Sequence, residues 1–449
     1  MIRLRSAISR IARTQRTLPS AWAAGTLSLA HFADAFAMLG QIFITTQLLS
    51  KQQFGELGIA MAVTLLACAV FDFRVWEVMT IRIPKLQASD DSQEAASLVR
   101  GCFLLEFFGG FVVTVALLLL APVFAQQFTN NGHAVTLFAA LAVQPLLMSV
   151  DEPARTLLRL NGDFRSLAIW RSISGVFQLV LVSAALMFWP TPVSVALATM
   201  LAWCIRLTCL AWLAKRSLRS MKIDPIGESN NRRAWASIKQ NRSMLSSAAV
   251  AAIAGRLANR VDLVILGWFA VPEVFAPYDL ARRLTSQVSL VLEPITQVIF
   301  PKISTQLAGN EILVRNRFLV QLTSILAVTG LPVLILTILA LPWGIPLVFG
   351  DSYSDAAFPS QLLMLVYVTI PILWLRPYVA CSQNISVLAW AGLLTVVIQI
   401  SAGLLLIPNG MAIGAAYSFL LGQMAWWACL LVIARRGFSK HSLLEKSIP

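Results

Sequence analysis

Runs of about 20 apolar residues recur along almost the whole chain, and each is long enough to cross a hydrocarbon core about 30 Å thick. The first begins at Ala21 and the last ends near Ala434. They are continuous, without the alternation of outer-membrane barrel strands, so the spans are helices. Composition agrees: 58% of the 449 residues are hydrophobic and 12% charged, against about 25% charged in soluble domains. The expected fold is an all-α, polytopic membrane protein.

Twelve spans can be placed, at roughly 21–48, 56–80, 99–125, 133–150, 167–189, 193–214, 244–270, 275–300, 318–341, 359–379, 384–407 and 411–434. The longest polar connection separates them into two sets of six. The expected organisation is a basic cytoplasmic segment 1–20, a bundle 21–214, a basic cytoplasmic linker 215–243, a bundle 244–434 and a cytoplasmic tail 435–449. Met1–Arg16 carries five arginines and no acid, and reads as a surface segment or a short interfacial helix. The apolar run that follows is too long for a signal peptide.

Orientation follows from the loops. With the N-terminus inside, one face collects Arg82, Lys85, Arg100, Arg155, Arg159, Arg165, Arg171, the linker cations, Lys302, Arg315, Arg317, Arg376 and the tail. The opposite face offers Lys51 alone. The positive-inside rule then makes both termini cytoplasmic. The net charge of +14 is thus a topology signal and no sign of a nucleic-acid partner. The six cysteines lie in or beside apolar runs with no paired spacing, so neither a metal centre nor a disulfide framework is expected. No phosphate loop, zinc-ligand cluster or serine elbow occurs. A non-enzymatic protein without cofactors is expected.

Charges inside two spans are the strongest functional signal, because ionisable groups at membrane depth are costly and mark pathways. The seventh span holds Arg256, Asn259, Arg260 and Asp262; the eighth holds Asp279, Arg282, Arg283, Glu293 and Gln297. At about 100° per residue, the eighth-span group shares one face with Ser286, and the seventh-span group fills an arc of roughly 160°. Polar faces this long should line an aqueous cavity. Arg256, Arg260, Arg282, Arg283, Asn259 and Gln297 are the candidate substrate contacts, since guanidinium pairs bidentately with phosphate and keeps its charge. The competing explanation is that Asp262, Asp279 and Glu293 neutralise the arginines as structural pairs. In the first span His31 and Asp34 stand at i and i+3, in line with Met38, Gln41 and Thr45. His31, Asp34, Asp262, Asp279 and Glu293 are candidates for coupling to H+ or Na+. Arg74, Glu77 and Arg82 read as snorkelling side chains, Glu106 and Arg206 as weaker buried candidates, and the 349–355 segment as a solvated turn.

The halves carry faint internal similarity. Phe54-Gly55-Glu56-Leu57-Gly58-Ile59-Ala60 occupies the place of Phe275-Ala276-Pro277-Tyr278-Asp279-Leu280-Ala281, and Asp34 that of Asp262. Six spans per half give both halves the same orientation, so a pseudo-twofold axis along the membrane normal is expected, with a cleft between bundles.

Arg260-Val261-Asp262-Leu263-Val264-Ile265-Leu266-Gly267, Tyr278-Asp279-Leu280-Ala281-Arg282-Arg283, Ile299-Phe300-Pro301-Lys302-Ile303-Ser304 and Phe349-Gly350-Asp351-Ser352-Tyr353 resemble segments of polysaccharide-biosynthesis membrane proteins. Leu48-Leu49-Ser50-Lys51-Gln52-Gln53-Phe54-Gly55-Glu56-Leu57-Gly58 adds a first-half likeness. These are the Wzx-type lipid-linked oligosaccharide flippases of the multidrug/oligosaccharidyl-lipid/polysaccharide (MOP) exporter superfamily. The resemblance implies two six-helix bundles, alternating access and a cationic lumen. It also implies transfer of an undecaprenyl-diphosphate-linked oligosaccharide across a bacterial inner membrane, with polysaccharide polymerase and glycosyltransferases as partners. The first span lacks the arginines of the peptidoglycan-precursor branch, which argues against lipid II as substrate. Alternatives are a multidrug/cation antiporter of the same superfamily and a non-transporting scaffold for polysaccharide assembly.

Overall fold

The computed structural model describes residues 21–70, 73–129, 134–227, 229–308, 312–382 and 385–445. The basic segment 1–20 therefore lies outside the described residues. The described chain is helical: α1 (Ala21–Leu48), α2 (Lys51–Val70), α3 (Val75–Ala88), α4 (Ser92–Phe128), α5 (Ala134–Leu141), α6 (Gln144–Leu160), α7 (Phe164–Phe188) and α8 (Pro192–Ser220). The linker holds α9 (Asn231–Gln240); then come α10 (Arg242–Ala258), α11 (Val261–Phe269), α12 (Pro272–Ala308) and α13 (Ile312–Phe349). Tight 3₁₀ turns at Asp351–Ala356 and Leu365–Ile372 flank α14 (Ala357–Met364), and α15 (Leu375–Ser382) and α16 (Ile385–Glu445) complete the chain.

Among the described residues, 8 helical segments are long and apolar enough to cross a membrane on length and composition alone. The rest of the twelve crossings come from α1, α10 with α11, α12, and the doubling of α16. That last helix folds back at Met411, whose φ of 44° and ψ of −123° interrupt it just after Pro408. Gly414 then lies against Leu406 and Ile407, and Gly422 against Gln399, as antiparallel arms require. A Cβ on Gly414 would fall 2.2 Å from Leu406 O, so this turn needs glycine.

Several expected spans are interrupted. The second divides into α2 and α3 just before Arg74, which takes the left-handed conformation at φ 48° and ψ 41°. The fourth divides into α5 and α6, and the tenth is a series of short turns. The seventh was expected as one helix over 244–270 and instead breaks at Asn259–Arg260, where Arg260 leaves helical geometry at φ −138° and ψ −18°. Asn259 Nδ2 donates to Gly255 O at 2.8 Å, the local side-chain bond that competes with helix continuation. Arg171, counted with the cations of the basic face, lies two turns inside α7. Asp163 caps that helix by accepting from Ser166 N at 3.1 Å, which starts it at Phe164, three residues before the expected span.

The halves are built alike. α1 packs along α7, and α10–α11 packs along α16, so the first and fifth crossings of each half are partners. One apolar core joins both halves at the end that carries few loop charges: Leu57, Phe128, Leu186 and Val195 meet Leu263, Ala270, Phe275, Ile407 and Ala415. At the basic end the cores are separate. Val78, Ala95, Leu158, Leu210 and Ile238 form one, joined by Leu245 at the start of α10. Ile303, Leu319, Leu375, Tyr378 and Leu430 form the other. The halves share one core at one end and have separate cores at the other.

Candidate functional site

The seal is made where the two similar segments meet. A Cβ on Gly55 of α2 would come within 1.9 Å of Pro272 O, and one on Gly58 within 2.5 Å of Asp279 Oδ2 and 2.8 Å of the Phe275 ring. Phe54 stacks edge-on against Tyr353, with centroids 5.9 Å apart. At the rim, Lys51 Nζ pairs with Asp355 Oδ2 at 3.1 Å. The segment expected to be a plain turn thus reaches across to the first half.

Just inside this seal lies the second-half charge cluster. Asp262, fully buried in the first turn of α11, accepts from Tyr278 Oη at 2.6 Å and lies 2.9 Å from Arg282 Nε. Gln399 Nε2 approaches its other oxygen at 3.4 Å. Arg282 Nη2 donates to Asn259 O at 2.6 Å, and its guanidinium stacks 3.8 Å from the centre of the Phe419 ring. The helix break makes this arrangement possible. It frees a carbonyl at the C-terminus of α10 for a cation and opens an N-terminus at α11 for a carboxylate, each on the side its dipole favours. One turn along α12, Arg283 Nε pairs with Asp279 Oδ2 at 2.7 Å and lies over Phe54. Each of these two arginines is thus paired with a carboxylate of the same half.

Arg260 differs. Its guanidinium makes no hydrogen bond or ion pair with a described residue, and it is half-buried with Arg282, Arg283, Asp279 and Asp262 around it. Asn259 beside it is exposed, and so are Ser286 and Ser289 further along α12. Tyr367 Oη bonds Ser289 Oγ and Thr285 O, both at 2.7 Å, and continues this polar line. The side chains of Glu293 and Gln297 lie outside the described residues.

Arg256 lines a cavity of about 70 Å³ with Cys68, Glu106, Asp151, Glu152 and Arg155, facing the first half near Glu152. This is the edge of a second ionic network that runs through the first half. Arg155 joins Asp151 and Glu152, with its Nη2 2.8 Å from Glu152 Oε2, and Arg159 adds a 3.4 Å contact to Glu152. Arg206 lies 3.7 Å from Asp151 and is sandwiched between Trp170 and Trp203, at 4.5 and 4.6 Å from their ring centres. Arg171 completes the set: its Nε is 3.0 Å from Asp34 Oδ2, and its Nη1 is 3.1 Å from His31 Nε2. His31 and Asp34 are therefore joined through Arg171 rather than paired directly. An arginine only donates, so Nε2 of His31 accepts here, as in a neutral ring protonated on Nδ1.

Sequence reasoning missed Asp151, Glu152, Arg155 and Arg171 as members of a site. The i, i+3 and i+4 spacing of Asp151, Glu152 and Arg155 on one helix was a usable signal. Arg74, expected to snorkel, instead pairs with Glu77 at 2.5 Å, and Arg82 Nε donates to Asn241 Oδ1 at 2.8 Å.

No curated protein matches this chain in sequence. Among solved structures, an inward-facing multidrug resistance MATE family transporter of the MOP superfamily superposes with a TM-score of 0.72 at 13% identity, covering 94% of this chain and 100% of that one. The lipid II flippase MurJ in an inward closed conformation gives 0.68 at 12% identity, covering 93% and 90%. An outward-facing multidrug resistance MATE family transporter gives 0.65 at 14%, covering 95% and 96%. At such identities the likeness is one of fold. The sequence model described as "Polysaccharide biosynthesis protein" matches residues 23–306, and with that match the chain belongs to the polysaccharide biosynthesis protein family, carried on the fold of the MOP-superfamily transporters.

Proposed function

We propose that this protein is a flippase. It would carry an undecaprenyl-diphosphate-linked oligosaccharide from the cytoplasmic to the outer leaflet of a bacterial inner membrane, for O-antigen, capsule or exopolysaccharide assembly. The observation that carries this reading is Arg260. A guanidinium cannot shed its proton at membrane depth, and there it costs a few kcal/mol or more unless something answers its charge. Arg282 and Arg283 beside it are each matched by one carboxylate, so the cluster keeps one net positive charge. A diphosphate passing through would supply the missing partner with charge-assisted bonds. Arg256, Asn259 and Gln297 remain proposed contacts along the same route.

The shared core at one end and separate cores at the other support alternating access. With the basic end cytoplasmic, the state described here faces inward, so the head group enters beside Arg260 while the lipid tail stays in the bilayer. Closing the basic end and parting the Gly55–Pro272 seal would release it outside. Coupling to H+ or Na+ is proposed at Asp34, with His31, and at Asp262, Asp279 or Glu293. A proton on Asp34 would loosen Arg171 and, through it, the packing of α1 on α7. Polymerase and glycosyltransferases would meet the basic cytoplasmic loops. A cation-antiport reading is favoured by one observation, the carboxylates of Glu106, Asp151 and Glu152 around the first-half cavity.

The test is the leaflet distribution of lipid-linked oligosaccharide in cells lacking the gene. Accumulation on the cytoplasmic face, relieved by the intact gene but not by an Arg256→Ala/Arg260→Ala variant of normal abundance, is the expected result. An unchanged distribution would sink the flippase reading, and drug sensitivity in the same cells would move it to antiport.

A further inference from the structure

The linker between the halves has no role in the transport reading, yet it is firmly built. Asp224 accepts from Gly227 N and Ile226 N, bonds that hold its carboxyl below the usual range. Asn230 caps α9 by accepting from Arg233 N at 2.9 Å. Arg100 of α4 donates to Asn231 Oδ1 at 3.1 Å, and Ser237 Oγ donates to Glu94 Oε1 at 2.7 Å. The helix crosses α4 at Gly101, where a Cβ would fall 2.6 Å from Ala234 O, so the two backbones touch. Ala234 and Ile238 are buried in that contact.

The other face of α9 is open. Arg232, Arg233, Trp235 and Lys239 are all exposed, and the helix contains no acid. Its depth can be read from α4. That helix has 37 residues, about 55 Å at 1.5 Å each, against a hydrocarbon core of about 30 Å. Its exposed apolar side chains run from Phe107 and Phe108 through Phe111, Val112 and Leu119 to Val123, and mark the part that faces lipid tails. The Trp235 ring lies 6.1 Å from that of Phe108, at the edge of this band. A tryptophan at the edge of an apolar band, with cations on the same helix face, is the composition of a membrane interface.

We infer that α9 is a binding site for anionic phospholipid. Arg232, Arg233 and Lys239 engage headgroup phosphates at the basic face, while Trp235 rests among the acyl chains beside Phe108. Charge decides the occupant, since three cations without an acid favour an anionic headgroup over a zwitterionic one. Near an anionic surface each basic residue is worth about fivefold in binding, so the three together give roughly a hundredfold. Asn241 passes α9 directly into α10, so bound lipid holds the base of the seventh crossing to the bilayer and to the first half.

The experiment uses the purified full-length protein in nanodiscs of phosphatidylcholine, alone or mixed with phosphatidylglycerol. Retained lipid is read by native mass spectrometry and stability by thermal unfolding. The wild type should retain phosphatidylglycerol and unfold at a higher temperature in the mixed discs. Arg232→Gln/Arg233→Gln/Lys239→Gln should lose both effects while matching the wild type in phosphatidylcholine alone. Trp235→Ala should weaken them, and Arg317→Gln/Arg435→Gln, exposed cations at the same end, should keep them. Should the triple variant fail to fold, Arg232→Glu alone supplies the comparison. The proposal is overturned if the triple variant keeps its phosphatidylglycerol and its shift, if the distant pair loses as much, or if α9 captures an acidic protein and no lipid. None of these readouts involves transport, so failure here leaves the flippase reading standing.

Discussion

The two charge clusters solve the same problem in opposite ways. In the second half each carboxylate has one principal arginine: Asp262 has Arg282 and Asp279 has Arg283. Both acids are buried, both pairs lie on α11 and α12, and Arg260 is left over. In the first half the charges are shared. Arg155 serves Asp151 and Glu152, Glu152 serves Arg155 and Arg159, and Arg171 serves Asp34 and His31 across two helices. Under the proposed function, the closed set of pairs with one spare cation would be the place for the visiting anion. A network with shared partners can instead absorb the gain or loss of one charge by redistribution, which is what an ion-coupled element needs.

This contrast can be broken by substitution. The largest effect is expected at Asp262. Asp262→Ala strands Arg282 in a buried site, which costs about 3–5 kcal/mol, and chemical unfolding in detergent measures it. Adding Arg282→Met should recover much of the loss, and an unrecovered double variant would contradict the one-to-one pairing. Asp34→Ala should cost less, about 1–3 kcal/mol, because Arg171 keeps His31; a loss equal to that of Asp262→Ala would erase the distinction. Gly55→Val places a side chain against the Pro272 carbonyl, an overpacking worth about 1–3 kcal/mol. It should reduce bis-maleimide cross-linking between cysteines placed at 51 and 355, and unchanged cross-linking would show that the seal does not depend on this approach. Arg260→Gln should be the mildest, with no loss of stability, since it removes a membrane-depth cation left without a partner, while abolishing export. A strongly destabilised Arg260→Gln would mean that the spare cation has a partner in the fold.

The number of crossings and the charged stretches of the second half could be read from the sequence because their signals are local. Arg260 and Asp262 are two residues apart, and Asp279 and Arg283 share a face of one helix by periodicity alone. The break at Asn259–Arg260 could not be read, since apolar residues continue across it and a fixed 100° step assumes an intact helix. That step gave no sign that Arg256 would also line a cavity with Glu106, Asp151 and Glu152 of the first half. Arg171 was illegible for a different reason. Its partner Asp34 is 137 residues away, and a contact at that distance leaves no trace in the spacing around either residue. Loop charge even pointed the wrong way, because Arg171 lies close enough to a basic connection to be counted with it.

The glycine seal between α2 and α12 bears on how fast such a protein can turn over. Gly55 and Gly58 bring no side chain of their own to the contact, so the rotamers that parting it would free are those of Phe275, Asp279, Phe54 and Tyr353 alone. On the alternating-access reading, the work of opening would include wetting the Pro272 carbonyl, the Phe275 ring and the shared apolar core, and separating the partly exposed Lys51 and Asp355 at the rim. An ion pair in that position is weakened by dissolved salt. On the alternating-access reading, the ion pair at the rim would make the gate's opening sensitive to the ionic strength of the compartment into which it opens.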